Sequence, residues 1–161
     1  MHINPDHFLQ TALGRVFTPE RNRQAWASSY SALESTLGEI DPPAIVYLLV
    51  GPQGAGKSTW VKNRPNAERA VYFDAILVKR SERAQVLTVI KPFSAKAIAV
   101  WLQTPLLACL ERNALRPADE VVDEQALRNV YAALEAPLLI EGFDAIIGVP
   151  HDQLSGSVSR S

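Results

Sequence analysis

Eight consecutive residues of this chain have the types and the order needed to hold a phosphate group. Residues 51–58 read GPQGAGKS and fit the pattern G-x-x-x-x-G-K-[ST] with no mismatch. Glycine permits backbone angles that a Cβ would forbid, so successive N–H groups can point inward around a di- or triphosphate. Lys57 would place its ammonium on the β and γ phosphates, and the Ser58 hydroxyl would hold Mg²⁺. The pattern therefore predicts a site for a nucleoside triphosphate.

The sequence on either side of this loop supports the same prediction. An apolar run at 44–50, rich in branched residues, predicts a buried parallel strand before the loop. Residues 58–62 can open a helix whose positive N-terminal end faces the anion. The residues expected to contact the nucleotide are Gly51, Pro52, Gln53, Gly54, Ala55, Gly56, Lys57, Ser58 and Thr59.

The composition limits the class of protein. With 161 residues, 47% of them hydrophobic and 20% charged, the chain can form one domain with a sizeable core. A net charge of -1 gives no overall positive electrostatic field that would attract nucleic acid. It is still compatible with a local basic groove. The single cysteine, Cys109, excludes an intrachain disulfide and is expected to be a buried small side chain. No membrane-spanning or signal-peptide pattern is present, so we expect a cytoplasmic location.

A helical extension is predicted ahead of the loop, within residues 1–43. Thr18 followed by Pro19 is a helix-start signal, and Gly38 is expected to end the helix. One face of this helix carries the apolar residues Trp26, Tyr30, Leu33 and Leu37. That face can pack on the core; the alternative is that it binds a partner.

Strand and helix patterns alternate between residues 44 and 150. Further strands are predicted at 69–73, at 97–102, and from the segments 138–140 and 145–147. Further helices are predicted at 81–90, from a Thr104 cap towards Arg116, and after an Asp123 cap. This alternation predicts an α/β fold, a three-layer sandwich with a mainly parallel sheet and helices on both faces. Residues 44–150 would form the nucleotide-binding domain, and the polar segment 151–161 a poorly ordered tail.

Carboxylates are expected near the bound phosphates because ligands of an open parallel sheet bind beyond the carboxyl ends of its strands. Asp74 directly follows the second predicted strand. It could orient Mg²⁺ or act as a general base, and the alternative is an aspartate that only favours a turn or helix start. Glu141 and Asp144 flank Gly142 near the last strand, where a functional role and a solvated turn are equally open.

Two arginines could act on a phosphate in transfer. Arg112 and Arg116 are four residues apart, which puts both on one face of the predicted helix. An arginine can stabilise the charge that spreads over a transferring phosphoryl group. The alternative is a pair of exposed arginines at a helix C-terminus, where the dipole favours them.

The segments VYFDAILVKRSERAQVL and AVWLQTPLLACLERNALRP, with the helix and E-G-F ending that follow, resemble the P-loop kinase family that includes polynucleotide 5′-hydroxyl kinases. Members of that family show an R-N-x-x-R element after a strand, then a short lid; residues 112–116 match this element. The likeness covers roughly residues 44 to 149. It implies that Arg116, assisted by Arg112, is the lid arginine on the transferring phosphate.

The chain departs from that family in one respect. Family members carry two acidic segments between the loop and R-N-x-x-R; the first, S-x-D-x-x-R, supplies the base, and the second resembles D-A-T-N followed by an arginine. In this chain there is room for only one acidic segment between the loop and R-N-x-x-R. The segment from Asp74 resembles the second of the two, with Leu77 in place of Asn and Arg83 as the later arginine. The usual base is therefore expected to be absent, unless Asp74 has taken its role.

Two functions are compatible with these residues. The first is an ATP-dependent kinase acting on a hydroxyl of nucleic acid or of a small molecule, with Mg²⁺ held by Ser58 and Asp74, and with Lys57, Asp74, Arg112 and Arg116 as catalytic residues. The second is a reduced domain that binds nucleotide and presents its N-terminal helix to a protein partner. A motor ATPase is a weaker third, since nothing resembles a sensor region.

Overall fold

A computed structural model describes residues 1–65 and 67–154 of the chain. In these residues the strands are β1 (His2–Ile3), β2 (Gln10–Thr11), β3 (Gly14–Arg15), β4 (Ile45–Val50), β5 (Ala70–Asp74), β6 (Lys96–Gln103) and β7 (Ala145–Pro150). The α-helices are α1 (Pro19–Glu39), α2 (Lys57–Lys62), α3 (Arg80–Ile90), α4 (Leu106–Ala114), α5 (Glu124–Ala132) and α6 (His151–Leu154). Short 3₁₀ turns lie at Pro5–Leu9, Lys91–Phe93 and Leu139–Glu141.

Five strands form one parallel sheet in the order β1-β5-β4-β6-β7, and β2 and β3 form a separate hairpin. The central strand, β4, leads into the glycine-rich loop. Its register pairs Leu49 with Asp74 of β5 and Val50 with Trp101 of β6. Asp74 therefore lies at the carboxyl end of the sheet, beside the start of the loop.

The sheet is covered by helices on both faces. Val46 and Leu48 of β4 belong to one apolar cluster, which includes residues of α1 and α3. Leu49 belongs to a second cluster, which includes Trp60 of α2, Cys109 of α4 and Leu127 of α5. Since successive side chains of a strand point to opposite faces, the two clusters lie on opposite sides of the sheet. The predicted three-layer α/β fold is confirmed, and the apolar character of β4 follows from burial on both faces.

Helix α1 packs on this core. Leu33 and Leu37 are buried, and Trp26 and Tyr30 pack partly buried against the same cluster. Thr18 caps the helix as predicted, because its Oγ1 accepts a hydrogen bond from the Arg21 N–H at 3.1 Å. Gly38 does not end the helix, which continues to Glu39.

Replacement of Leu33 by alanine should lower the free energy of unfolding by about 2–5 kcal/mol, because the side chain is fully buried and its removal leaves a cavity. Urea unfolding followed by circular dichroism would measure the loss. Glu34→Ala, an exposed position one residue along, is the control. Equal stability of the two variants would contradict the packing of α1 on the core.

Four further features of the structure differ from the sequence expectations. Thr104 is not the cap of α4; its Oγ1 donates to the Ala55 carbonyl at 2.7 Å, so it braces the glycine-rich loop. Residues 138–140 do not form a strand, because the chain turns in a 3₁₀ helix before β7. The N-terminal segment also contains a strand, β1, which is too short for any periodicity to reveal. Of the predicted tail, residues 151–154 form α6 and the rest lies outside the described residues.

Candidate functional site

The glycine-rich loop packs tightly against α4. Gly54 and Gly56 have positive φ angles of 78° and 100°, which side chains rarely adopt. A Cβ on Gly54 would also collide with the carbonyl oxygen of Cys109. Glycine at position 54 is therefore required both by the turn and by the close approach of the helix.

Lys57 begins the helix that follows the loop. Its Nζ donates to the carbonyl oxygens of Gly51 at 2.6 Å and Pro52 at 3.3 Å. Desolvation lowers the pKa of Lys57, and the nearby carboxylates of Asp74 and Asp6 oppose that shift. The Lys57 ammonium is thus hydrogen-bonded to the loop carbonyls, and a bound phosphate would compete with them for it.

Asp74 is almost fully buried, and several donors converge on one of its oxygens. Ser58 Oγ donates to Oδ2 at 2.8 Å, His2 Nε2 lies at 2.8 Å, and Asn4 Nδ2 donates at 3.4 Å. Desolvation alone would raise the pKa of Asp74. The hydrogen bonds from His2 and Ser58, with the charge of Lys57, outweigh it and leave the pKa below its usual value. Asp74 is therefore an ionised carboxylate that accepts a hydrogen bond from the Ser58 hydroxyl.

A large cleft opens beside the loop, with a volume of ≈ 1080 Å³. Its floor is formed by residues 52–59 and Asp74. One wall comes from the N-terminal segment and the start of α1, and the other from the connection between α4 and α5. Among the described residues of 62–70, none lines the cleft. The predicted loop residues and Asp74 thus meet at an open cavity, with Gly51 buried below it.

The R-N-x-x-R element supplies the wall formed by the α4–α5 connection. Arg112 Nη1 donates to the Gly54 carbonyl at 3.4 Å, and Arg116 lies 4.0 Å from Glu120 Oε2; both line the cleft. The buried Asn113 exchanges two hydrogen bonds with the backbone of Val122, at 2.7 and 2.9 Å. Asn113 therefore fixes the path of the connection, while the two arginines flank the loop.

The two walls are joined by Arg15 of the N-terminal hairpin. Its guanidinium lies 3.3 Å from Asp6 Oδ2 and 3.1 Å from Glu120 Oε1. Its backbone N–H donates to Asp119 Oδ2 at 2.6 Å. These contacts connect the segment ahead of the loop to the segment that follows α4, across about 100 residues of sequence.

Asp6 is a cleft carboxylate that the sequence did not single out. It lies in the first turn after β1, where Asn4 Oδ1 accepts a hydrogen bond from the Asp6 N–H at 2.9 Å. Its side chain is 44% exposed, and among the described residues its one side-chain partner is Arg15. The one local signal was Asn-Pro-Asp at residues 4–6, a cap followed by a carboxylate, because the two-residue strand before it has no pattern of its own.

Glu141 and Asp144 have structural partners away from the cleft. Glu141 forms a bidentate salt bridge with Arg83, with hydrogen bonds of 2.8 and 3.0 Å. Arg83 also donates to the carbonyls of Leu77 and Val78. Both side chains are buried, so the solvated turn, one of the two alternatives left open for Glu141, is wrong. Asp144 accepts a hydrogen bond from the Ala97 N–H at 2.9 Å. The buried pair holds α3 to the segment before β7.

Comparison with known proteins agrees with this geometry. A family model described as an AAA domain matches residues 63–137, a range that begins after the glycine-rich loop and includes Asp74, Arg112 and Arg116. The chain has an α/β fold of the P-loop type. The match and the fold support a P-loop NTPase-like protein that binds nucleotide. No curated protein matched the chain. In the described ranges, no helix has both the length and the apolar character of a membrane span.

Proposed function

We propose that the protein is a kinase that uses ATP and Mg²⁺ to phosphorylate a hydroxyl group. The observation that carries the proposal is the cleft itself. It continues beyond the phosphate loop to a partly exposed carboxylate, Asp6, and is flanked by Arg112 and Arg116. A domain that only binds nucleotide has no need of a cleft that extends to such a carboxylate.

The loop side of the cleft fits a magnesium-bound triphosphate. The N–H groups of the loop would surround the β and γ phosphates, with the Lys57 ammonium on the same oxygens. Ser58 and Asp74 would hold the cation, because a hydroxyl and an ionised carboxylate are oxygen ligands of the kind that Mg²⁺ prefers. The bound cation would neutralise charge on the phosphates during transfer.

The general base is better assigned to Asp6 than to Asp74. A base needs an accessible oxygen for the incoming proton. Asp74 is 2% exposed, its Oδ2 already receives several donors, and its lowered pKa disfavours proton uptake. Asp6 is partly exposed in the same cleft and close enough to Lys57 to influence its charge. Asp74 is then a metal ligand alone.

The transfer can be written as one in-line displacement. The acceptor oxygen forms a bond to the γ phosphorus as the bond from that phosphorus to the β–γ bridging oxygen breaks. The hydroxyl proton passes to Asp6, and ADP leaves with both electrons of the broken bond. Lys57, Arg112 and Arg116 would stabilise the negative charge that spreads over the transferring group.

Arg116→Ala should lower kcat about 100-fold and leave nucleotide affinity nearly unchanged, because its contact would strengthen in the transition state. Steady-state kinetics and calorimetry with ATP would separate the two effects. Arg128→Ala is the control, since Arg128 pairs with Glu124 on the exposed side of α5 and does not line the cleft. Equal losses of affinity and turnover would make Arg116 a binding residue only.

The alternative, a reduced module that presents its N-terminal helix, has less support. Leu33 and Leu37 of α1 are buried in the core, so this part of its apolar face is not available to a partner. None of the described residues of the short segment 62–70 lines the cleft, which supports a cleft open to an acceptor. A nucleotide-only module would nevertheless bind ATP with negligible turnover, which gives a clear experimental distinction.

The test is a phosphate-transfer screen with γ-labelled ATP over oligonucleotide 5′ ends, nucleosides and sugars. Lys57→Ala serves as the inactive control. We expect transfer to at least one acceptor that exceeds this control and depends on Mg²⁺. Tight ATP binding without transfer to any acceptor would refute the kinase and favour the nucleotide-binding module.

A further inference from the structure

We propose that the acceptor is a small, uncharged, polyhydroxylated molecule with a ring, of the sugar or nucleoside class, and that it binds between Phe17, Trp26 and Asp6. This inference rests on the proposed kinase function. Three features of the cleft carry it: the sign of its charges, its exposed aromatic surface, and a polar groove that continues it.

The lining of the cleft carries more carboxylates than cations. The carboxylates that line it, apart from Asp74, are Asp6, Glu82, Asp119, Glu120 and Asp123. The cations that line it are Lys57, Arg112 and Arg116, which serve the phosphates, and Arg15, which is paired with Asp6 and Glu120. A nucleic-acid chain would bring further phosphates towards these carboxylates, and like charges repel. The charge distribution thus favours an acceptor without phosphates.

Aromatic side chains line the same cleft. Phe17 is 66% exposed, lines the cleft, and lies in the chain between the N-terminal hairpin and the start of α1. Trp26 is half-buried, with its ring against Tyr30 and Phe73 at centroid distances of 5.8 and 6.4 Å. An exposed aromatic ring and a partly buried indole that line one cleft offer surfaces onto which the face of a sugar or base can pack.

A smaller groove between α1 and α3 continues the cleft. It has a volume of ≈ 390 Å³ and shares Asn22, Trp26 and Glu82 with the larger cavity. Beyond these, Arg23, Tyr30 and Gln85 line it, with Tyr30 Oη donating to Gln85 Oε1 at 3.0 Å. Amide, carboxylate and guanidinium groups around an indole offer both donors and acceptors to hydroxyl groups. A ring packed on Trp26 would therefore find partners for several hydroxyls.

The experiment compares neutral nucleosides and monosaccharides with a short 5′-hydroxyl oligonucleotide. Each is tested by phosphate transfer from ATP and by calorimetric binding to the complex with a non-hydrolysable ATP analogue. We expect a neutral compound to have a higher kcat/KM than the oligonucleotide and a KM that hardly changes with salt. A better oligonucleotide substrate, with the steep salt dependence of phosphate contacts, would overturn the acceptor class and leave the kinase intact.

Phe17→Ala should raise the KM of the neutral acceptor about tenfold without changing the KM of ATP, since stacking on one aromatic ring is lost. Phe17→Tyr should restore it. Leu13→Ala is the control, because Leu13 is 98% exposed in the same hairpin and does not line the cleft. An unchanged acceptor KM in Phe17→Ala would overturn the assigned position.

Different results would refute the kinase function and the acceptor class. Binding of a neutral compound to the complex with the ATP analogue, without any transfer, would refute the kinase and keep the ligand class. Absence of both binding and transfer for the neutral compounds would overturn the acceptor proposal, whatever the oligonucleotide shows.

Discussion

Asp6→Asn should lower kcat by about 10²- to 10⁴-fold, the range typical for loss of a general base. The substitution keeps the size of the side chain and its carbonyl oxygen, so Arg15 retains one acceptor there and its pair with Glu120. ATP affinity should stay equal or increase, because one negative charge near Lys57 is removed. A fall in turnover without a fall in affinity would separate a catalytic effect from damage to the fold.

The measurement is a transfer assay at saturating ATP and acceptor, with calorimetry on the same protein. Asp41→Asn is the matched control, since Asp41 is exposed and does not line the cleft. An unchanged kcat in Asp6→Asn would refute Asp6 as the general base. Either Asp74 would then be the base, or the reaction would need none. Asp74→Asn should instead raise the Mg²⁺ concentration needed for half-maximal activity. The substitution removes the negative charge that would hold the cation together with Ser58.

The phosphate loop could be predicted because its pattern is local. Strand, loop and helix are adjacent in sequence, and each residue type follows from the backbone shape or from the anion. The fold class was predictable for a similar reason, since the alternation of patterns from residue 44 onward determines the layers. Helical spacing also placed Leu33 on the apolar face of α1, and the structure decides that it packs on the core and not on a partner.

The N-terminal side of the cleft could not be predicted, because it is assembled across the sheet. A strand of two residues, β1, shows no periodicity, yet its pairing with β5 brings His2 and Asn4 to Asp74 and Asp6 to the cleft. The resemblance places a base in an S-x-D-x-x-R segment between the loop and residue 112, and the sequence has no such segment. Asp6, which precedes the loop in the chain, lines the cleft. Parallel strands bring their ends to one edge regardless of their order along the chain.

Thr104 and Glu141 show a second limit of the sequence. Thr104 precedes Pro105 in a pattern typical of a helix cap, but its hydroxyl donates to Ala55 in the loop. Glu141 lies beside Gly142 in a pattern typical of a turn, but it pairs with the buried Arg83. A short polar side chain has several local uses, and the choice among them depends on tertiary partners that are distant in sequence.

Lys57→Ala should weaken ATP binding about 100-fold, since a hydrogen-bonded charge on the β and γ phosphates is lost. A further fall of about 100-fold in kcat is expected, because charge on the transferring group is no longer stabilised. AMP affinity should be unchanged, as AMP has neither of these phosphates. Comparing ATP with AMP by calorimetry thus locates the effect on the phosphates that Lys57 is assigned to hold.

The same lysine also connects two carbonyls of the loop, so Lys57→Ala could disturb the loop itself. Lys57→Arg tests this, because it keeps the charge but replaces a compact ammonium by a planar group. If charge alone matters, Lys57→Arg should recover much of the affinity; if the compact donor matters, it should not. Lys62→Ala, exposed at the other end of α2, is the control. Unchanged ATP affinity in Lys57→Ala would refute the assignment of the loop as the triphosphate site.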